Sequence, residues 1–181
     1  MAVAASALLV LTSGGGAATR GSEPADDLVI ALLAATDLPA DLQPSGVTHD
    51  PTFDIDEASF VAAGGVDRVQ QVWQAAEVLR TSRIVVVFDF RMLFPTVEAA
   101  QSYLDAAEPI LSETVTGIQL QADTPTIGES SRHYAGSLTQ GALTVDVQNM
   151  LFRVGPMVAK VFVTGFGTTL DDLMPIAMAA G

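Results

Sequence analysis

The run Ile84-Val85-Val86-Val87-Phe88-Asp89-Phe90-Arg91-Met92-Leu93-Phe94 is the longest β-branched and aromatic stretch in the chain, and it limits the fold more than any other segment. Alternate residues of a strand point to opposite faces. Ile84, Val86, Phe88, Phe90, Met92 and Phe94 therefore share one side, and Val85, Val87, Asp89, Arg91 and Leu93 the other. A strand wholly apolar on one side and mixed on the other predicts a central strand, with helices on the first side and a partly wet second face.

The flanking patterns supply partners for that strand. Ser22-Glu23-Pro24 reads as a helix start, with Leu28, Val29, Leu32 and Leu33 as its apolar stripe and Leu38-Pro39 as its end. Residues 37–54 are rich in Pro, Asp, Gly and Ser and read as a loop or edge segment. Asp56 then caps a short helix closed by Gly64-Gly65. Residues 66–74 alternate loosely as a strand. Val97, Ala100, Leu104, Ala107 and Leu111 keep helical spacing, with Pro109 set to break the last turn. A short strand is expected over 118–122, a turn-rich segment over 123–132, and a hairpin of Leu143–Phe152 and Met157–Thr164 joined at Gly155-Pro156. A final helix runs from about Thr169 to Ala180, interrupted by Pro175. Sequential strands joined by turns predict an α+β fold, an antiparallel β-sheet with helices packed mainly on one face.

At 181 residues the chain fits one core. Eight Lys plus Arg against 21 Asp plus Glu give a formal charge of −13, which repels phosphate backbones and anionic headgroups and argues against nucleic-acid binding. Cysteine is absent, which removes disulfides, thiol catalysis, cysteine zinc sites and lipid attachment through a cysteine. Ala2 to Leu11 form an apolar run too short to span a bilayer, followed by the small residues Thr12 to Thr19. This pattern reads as the h-region and cleavage zone of an export signal. No Lys or Arg precedes Arg20, so the positive n-region is missing: either the true start lies upstream or the segment is a flexible leader. Residues 1–21 are set aside as leader, and 22–181 as a single domain without a transmembrane span.

The carboxy-terminal run Leu151-Phe152-Arg153-Val154-Gly155-Pro156-Met157-Val158-Ala159-Lys160-Val161-Phe162-Val163, followed by Thr169-Leu170-Asp171-Asp172-Leu173 opening a helix, resembles the closing hairpin and helix of small secreted bacterial lipoproteins of the LpqN type. Leu38-Pro39 and the Phe94-Pro95 turn running to Ala100 fit the same pattern, over roughly residues 36–180. The resemblance implies a PsbP-like α/β/α sandwich and an envelope location, and it carries no catalytic residues to transfer.

Several residue groups are candidates for chemistry. On the open sheet face Asp89, Arg91, Asp146, Gln148 and Lys160 are expected on one side, each out of phase with the apolar residues of its strand. The simpler reading is a solvated charge ladder; the other is a ligand or partner surface. His49, Asp50, Asp54, Asp56 and Glu57 cluster in one loop that offers oxygens to a hard cation such as Ca²⁺ but lacks the EF-hand spacing, so a solvated acidic loop and helix cap is the plainer account. Gly128-Glu129-Ser130-Ser131-Arg132-His133-Tyr134 sets serines near His133, yet Arg132 stands where a nucleophile elbow needs glycine. Gly165 to Asp171 follows a strand and opens a helix, but a Thr168–Asp171 capping box already complements the helix end where a phosphate would sit. Trp73, Phe88, Phe90 and Phe94 read as core.

The expected function is therefore that of an exported cell-envelope domain, non-enzymatic and without a cofactor, which binds a partner protein or a small amphipathic ligand. The competing class is a metal-dependent or serine hydrolase using the His49–Glu57 loop or the His133 region. Self-association along a sheet edge is a third possibility.

Overall fold

A computed structural model describes residues 28–51, 56–76, 83–106, 116–140 and 143–181. The leader, the Ser22–Pro24 helix start, Asp54, and Pro109 with the end of its helix lie outside the described residues. Seven strands form one sheet: β1 Leu42–His49, β2 Asp67–Ala75, β3 Ile84–Leu93, β4 Thr116–Leu120, β5 Ser130–Gln140, β6 Leu143–Val154 and β7 Met157–Gly165. Every pairing is antiparallel, in the order β1-β2-β3-β7-β6-β5-β4. The apolar run is thus a central strand, with β2 on one side and β7 on the other. The fold is α+β.

Helices cover both faces of this sheet, where the sequence pointed mainly to one. Helices α1 Glu57–Ala62 and α2 Val97–Ala106 lie over the first face, where Phe60, Phe88, Phe90, Met92, Phe94, Ala100, Tyr103 and Leu104 form one core. Helix α3 Leu170–Ala180 and the segment 28–38 lie over the second face. There Leu33, Leu38, Trp73, Val87, Met150, Phe152, Val161, Leu173 and Ile176 form another. The physical reason is that β6 and β7 are apolar on both sides: Val147, Leu151, Val158 and Phe162 face the first core, Met150, Phe152, Ala159, Val161 and Val163 the second. A strand buried on both faces must be covered on both. A register shift in the β3–β7 pairing between Ile84 and Val86 also moves Ile84 into the second core and Val85 into the first, against simple alternation.

Local signals decide the turns and caps. Asp56 accepts from the Ser59 backbone N–H at 3.0 Å and the Ser59 hydroxyl at 2.7 Å, capping α1 as expected. Between Val154 and Met157, Gly155 at φ 57 precedes Pro156, and this two-residue connection closes the β6–β7 hairpin. The cap of α3 is one residue later than the spacing suggested, because Asp172 accepts from the Thr169 N–H at 2.8 Å. Pro175 sits within an unbroken helix. The segment at 28–30 is helical and ends there, before Leu32 and Leu33. Among the described residues no helix is long and apolar enough to cross a membrane.

Strand β5 follows no apolar pattern in the sequence and forms by pairing with β6 from Ser130↔Arg153 to Gln140↔Leu143. Its other neighbour, β4, approaches so closely at Gly136 that an added Cβ would stand 2.7 Å from the Ile118 Cα. Gly136→Val should therefore force β4 away and cost about 1–3 kcal/mol through overpacking. Hydrogen exchange is expected to show lost protection over residues 116–120 with β6 and β7 unchanged; unaltered β4 protection contradicts the reading.

Candidate functional site

Asp89 and Arg91 lie two residues apart on β3, on the face beneath α3 and the segment 28–38. Both side chains are 0% exposed, so the wet face that their charges suggested is instead closed. The Arg91 Nη1 donates to Asp89 Oδ1 and, at 3.0 Å, to the Phe90 carbonyl. Its Nε donates to the Ala31 carbonyl at 3.0 Å and its Nη2 to the Ala180 carbonyl at 3.3 Å. The other Asp89 oxygen, Oδ2, accepts from the Leu33 backbone N–H at 2.6 Å. Ala31 directly follows the helical residues 28–30 and Ala180 ends α3. One guanidinium thus meets the carbonyls at two helix ends, where partial negative charge accumulates and where α3 has no basic residue of its own.

Burial dominates the electrostatics of the pair. Removal from water pushes the Asp89 carboxyl up from 3.8 to about 6, against the opposing pull of the Arg91 charge and the Leu33 N–H. The same removal from water lowers Arg91, opposed by Asp89. Native Asp89 therefore holds its proton more tightly than unfolded Asp89. Its contribution to stability is fully present below about 3.8 and is lost as pH rises through about 6.

Asp146 and Gln148 share this second face, on β6, but stand beyond β7 from the pair. Lys160 does not share it: it lies on the first face, buried, with Nζ 5.5 Å from the centre of the Phe90 ring. Strand parity explains the separation, since Lys160 pairs with Phe90 and Leu151, both in or at the first core. The five residues read as one surface are thus a buried pair, a neighbouring pair on β6 and an outlier on the opposite face.

Gln148 has a partner that sequence spacing could not disclose. His133 on β5 meets Gln148 Oε1 through Nε2 at 2.9 Å, and Gln148 Nε2 donates to the Thr168 carbonyl at 3.1 Å. Because the amide donates to Thr168, its oxygen faces the ring and Nε2 carries the proton. Burial lowers the His133 pKa, opposed by the Gln148 bond. Its Nδ1 is buried without a partner among the described residues, as are the Trp73 indole nitrogen and the whole Asn149 amide. Ser131, on the same strand, donates its hydroxyl to the Pro125 carbonyl at 2.6 Å rather than to His133, and the chain continues past it as strand to Gln140. Ser130, the serine of the Gly128-x-Ser130-x-Arg132 spacing, opens β5 opposite Arg153 instead of standing on a strand-to-helix turn.

The acidic loop is tied to a cation within the chain. Arg68 lies against the Phe60 ring at 4.7 Å. It donates through Nε to Asp50 at 2.9 Å and through Nη1 to Glu57 at 2.5 Å. His49 is exposed on edge strand β1, Asp56 caps α1, and Asp54 is outside the described residues. Among the described residues no cluster of three His, Asp or Glu is arranged to hold a metal. At the opposite end, Arg83 donates through Nε to the Gly167 carbonyl at 3.0 Å and lies 3.2 Å from Asp172, so the glycine turn before α3 is held by its own ion pair.

The buried pair yields two expectations for stability. Arg91→Met leaves Asp89 in a dry site without its counter-charge and frees the Ala31 and Ala180 carbonyls, at a cost of about 3–5 kcal/mol at pH 7.5. At pH 5, where Asp89 is protonated, urea denaturation should show a smaller penalty; equal penalties at both values contradict the assignment. In Asp89→Asn the decline of stability between pH 4 and 6 that belongs to this carboxyl should disappear, whereas a curve parallel to the parent protein's contradicts it.

No family model matches the chain, and no curated protein sequence matches it. Among solved structures it is similar to the crystal structure of the extracellular domain of PknH from Mycobacterium tuberculosis, with a TM-score of 0.63 and 11% sequence identity over 86% of this chain and 93% of that one. At that identity the likeness is one of fold: the two chains share the antiparallel α+β architecture described above.

Proposed function

We propose that this chain is an exported domain that works outside the cytoplasm, by binding a partner protein or a small amphipathic ligand rather than by catalysis. The observation that carries the reading is the fold shared, over nearly all of both chains, with a domain described as extracellular. Three further features support it. The apolar run Ala2 to Leu11 and the small residues after it have the order of an export signal. The carboxy-terminal hairpin and helix, which resemble those of secreted LpqN-type lipoproteins, fold as a hairpin and a helix. Two of the groups weighed for a hydrolase have other roles: Ser130 opens strand β5 away from any strand-to-helix turn, and the Asp50 and Glu57 carboxylates are bound to Arg68.

Location is testable directly. Alkaline phosphatase fused to the carboxy-terminus of the full chain is active only where its disulfides can form. Intact bacterial cells carrying the fusion are expected to show phosphatase activity, and cells carrying the same fusion without residues 1–21 are not. Inactive fusion protein confined to the cytoplasmic fraction contradicts the proposal.

A further inference from the structure

The segment 28–38 lies on the second face in an unusual way. Its hold on the sheet is a main-chain one: Asp89 takes the Leu33 N–H and Arg91 the Ala31 carbonyl, a donor and an acceptor two residues apart on one peptide. Leu33 and Leu38 are buried in the second core, beside Trp73 and Leu42, while Ile30 is 80% exposed. A buried ion pair directed at peptide groups reads any backbone of suitable shape, and the apolar wall selects leucine-like side chains. The fit is incomplete. Trp73, diagonal to Asp89 in the β2–β3 register, is 3% exposed, and its indole N–H has no partner among the described residues. An indole N–H left unmatched in the core that holds Leu33 and Leu38 makes the occupied state less favourable than one in which a ligand supplies it with a carbonyl.

We infer that the Trp73–Asp89–Arg91 face beside α3 is a groove for an apolar peptide, recognised through its main chain, and that residues 28–38 fill it as a built-in occupant. The ligand class is a short leucine-containing segment with a free carbonyl and N–H two residues apart. The chain's own segment must leave before such a ligand enters, so apparent affinity is lowered by the fraction of molecules in which the groove is open. The inference rests on the binding reading above only for the existence of a ligand in trans. It is tested on purified protein, so a failed export fusion leaves it intact, and its failure leaves the location intact.

The probe is a dye-labelled peptide of residues 28–38, titrated by anisotropy against the full chain and against full-length Leu33→Asp, which weakens docking in cis. Leu33→Asp should bind at least roughly ten-fold more tightly than the parent protein, the gain expected when the competing segment is released. The peptide N-methylated at its Leu33 nitrogen should lose that binding, since it has no N–H for Asp89. A folded Leu33→Asp protein that binds no better than the parent, or binds the N-methylated or a scrambled peptide equally, overturns the inference. Native-state hydrogen exchange on the parent protein decides the matter even if that variant does not fold. The Leu33 amide should exchange through an opening that leaves the β3 and β7 amides protected; exchange of Leu33 only together with those strands overturns it.

Discussion

The rest of the structure depends on one buried ion pair. Taking Asp89 and Arg91 out of water is costly, and their mutual attraction alone does not offset it. The raised carboxyl and lowered guanidinium pKa values record that balance. Peptide groups complete the site: a backbone N–H on the carboxylate, and on the guanidinium three carbonyls, two of them at helix ends. The pair thereby joins the segment before β1, the central strand and the last residues of α3. These three parts are remote in sequence, by 56, 60 and 89 residues across the respective bonds.

Polarity inside the two cores is distributed unevenly. On the first face Arg68 and Lys160 are stacked near aromatic rings, which lets long cationic side chains bury their stems. Asn149, between Tyr134 and Phe162 in register, is fully buried with its amide unmatched among the described residues. On the second face His133 and Gln148 form a short chain ending on the Thr168 carbonyl, which fixes the turn into α3. Polar groups placed this way hold loops and helix ends to the sheet, and they do so from positions that alternate with apolar residues.

How much of this is legible in the sequence follows from which contacts are local. The even face of β3 from Val86 onward, the Gly155-Pro156 hairpin and the Asp56 cap are all legible, because each depends on neighbours in sequence or on an unbroken apolar pattern. Strand β5 is not, since Arg132, Tyr134, Gly136 and Leu138 show no clear periodicity and acquire their strand form from β6. Asp89 and Arg91 suggest a wet face because isolated charges usually seek water. Their i, i+2 placement of opposite signs on one strand face was the available signal of mutual pairing. Their backbone partners, Ala31, Leu33 and Ala180, come from the two ends of the described chain, and no spacing rule reaches that far. Sequence alternation places Lys160 with the pair, because its register relative to β3 is fixed only by the β3–β7 pairing.

In the native protein Asp89 is dry, held between Arg91 and the Leu33 peptide N–H. Titration of its side-chain carboxyl carbon by NMR, in the intact folded chain, tests this most directly. A midpoint of about 6, the value that burial imposes on this carboxyl, is expected. A midpoint close to 3.8, the value of a solvated aspartate, would contradict the dominance of burial over the Arg91 charge and the Leu33 N–H at this site.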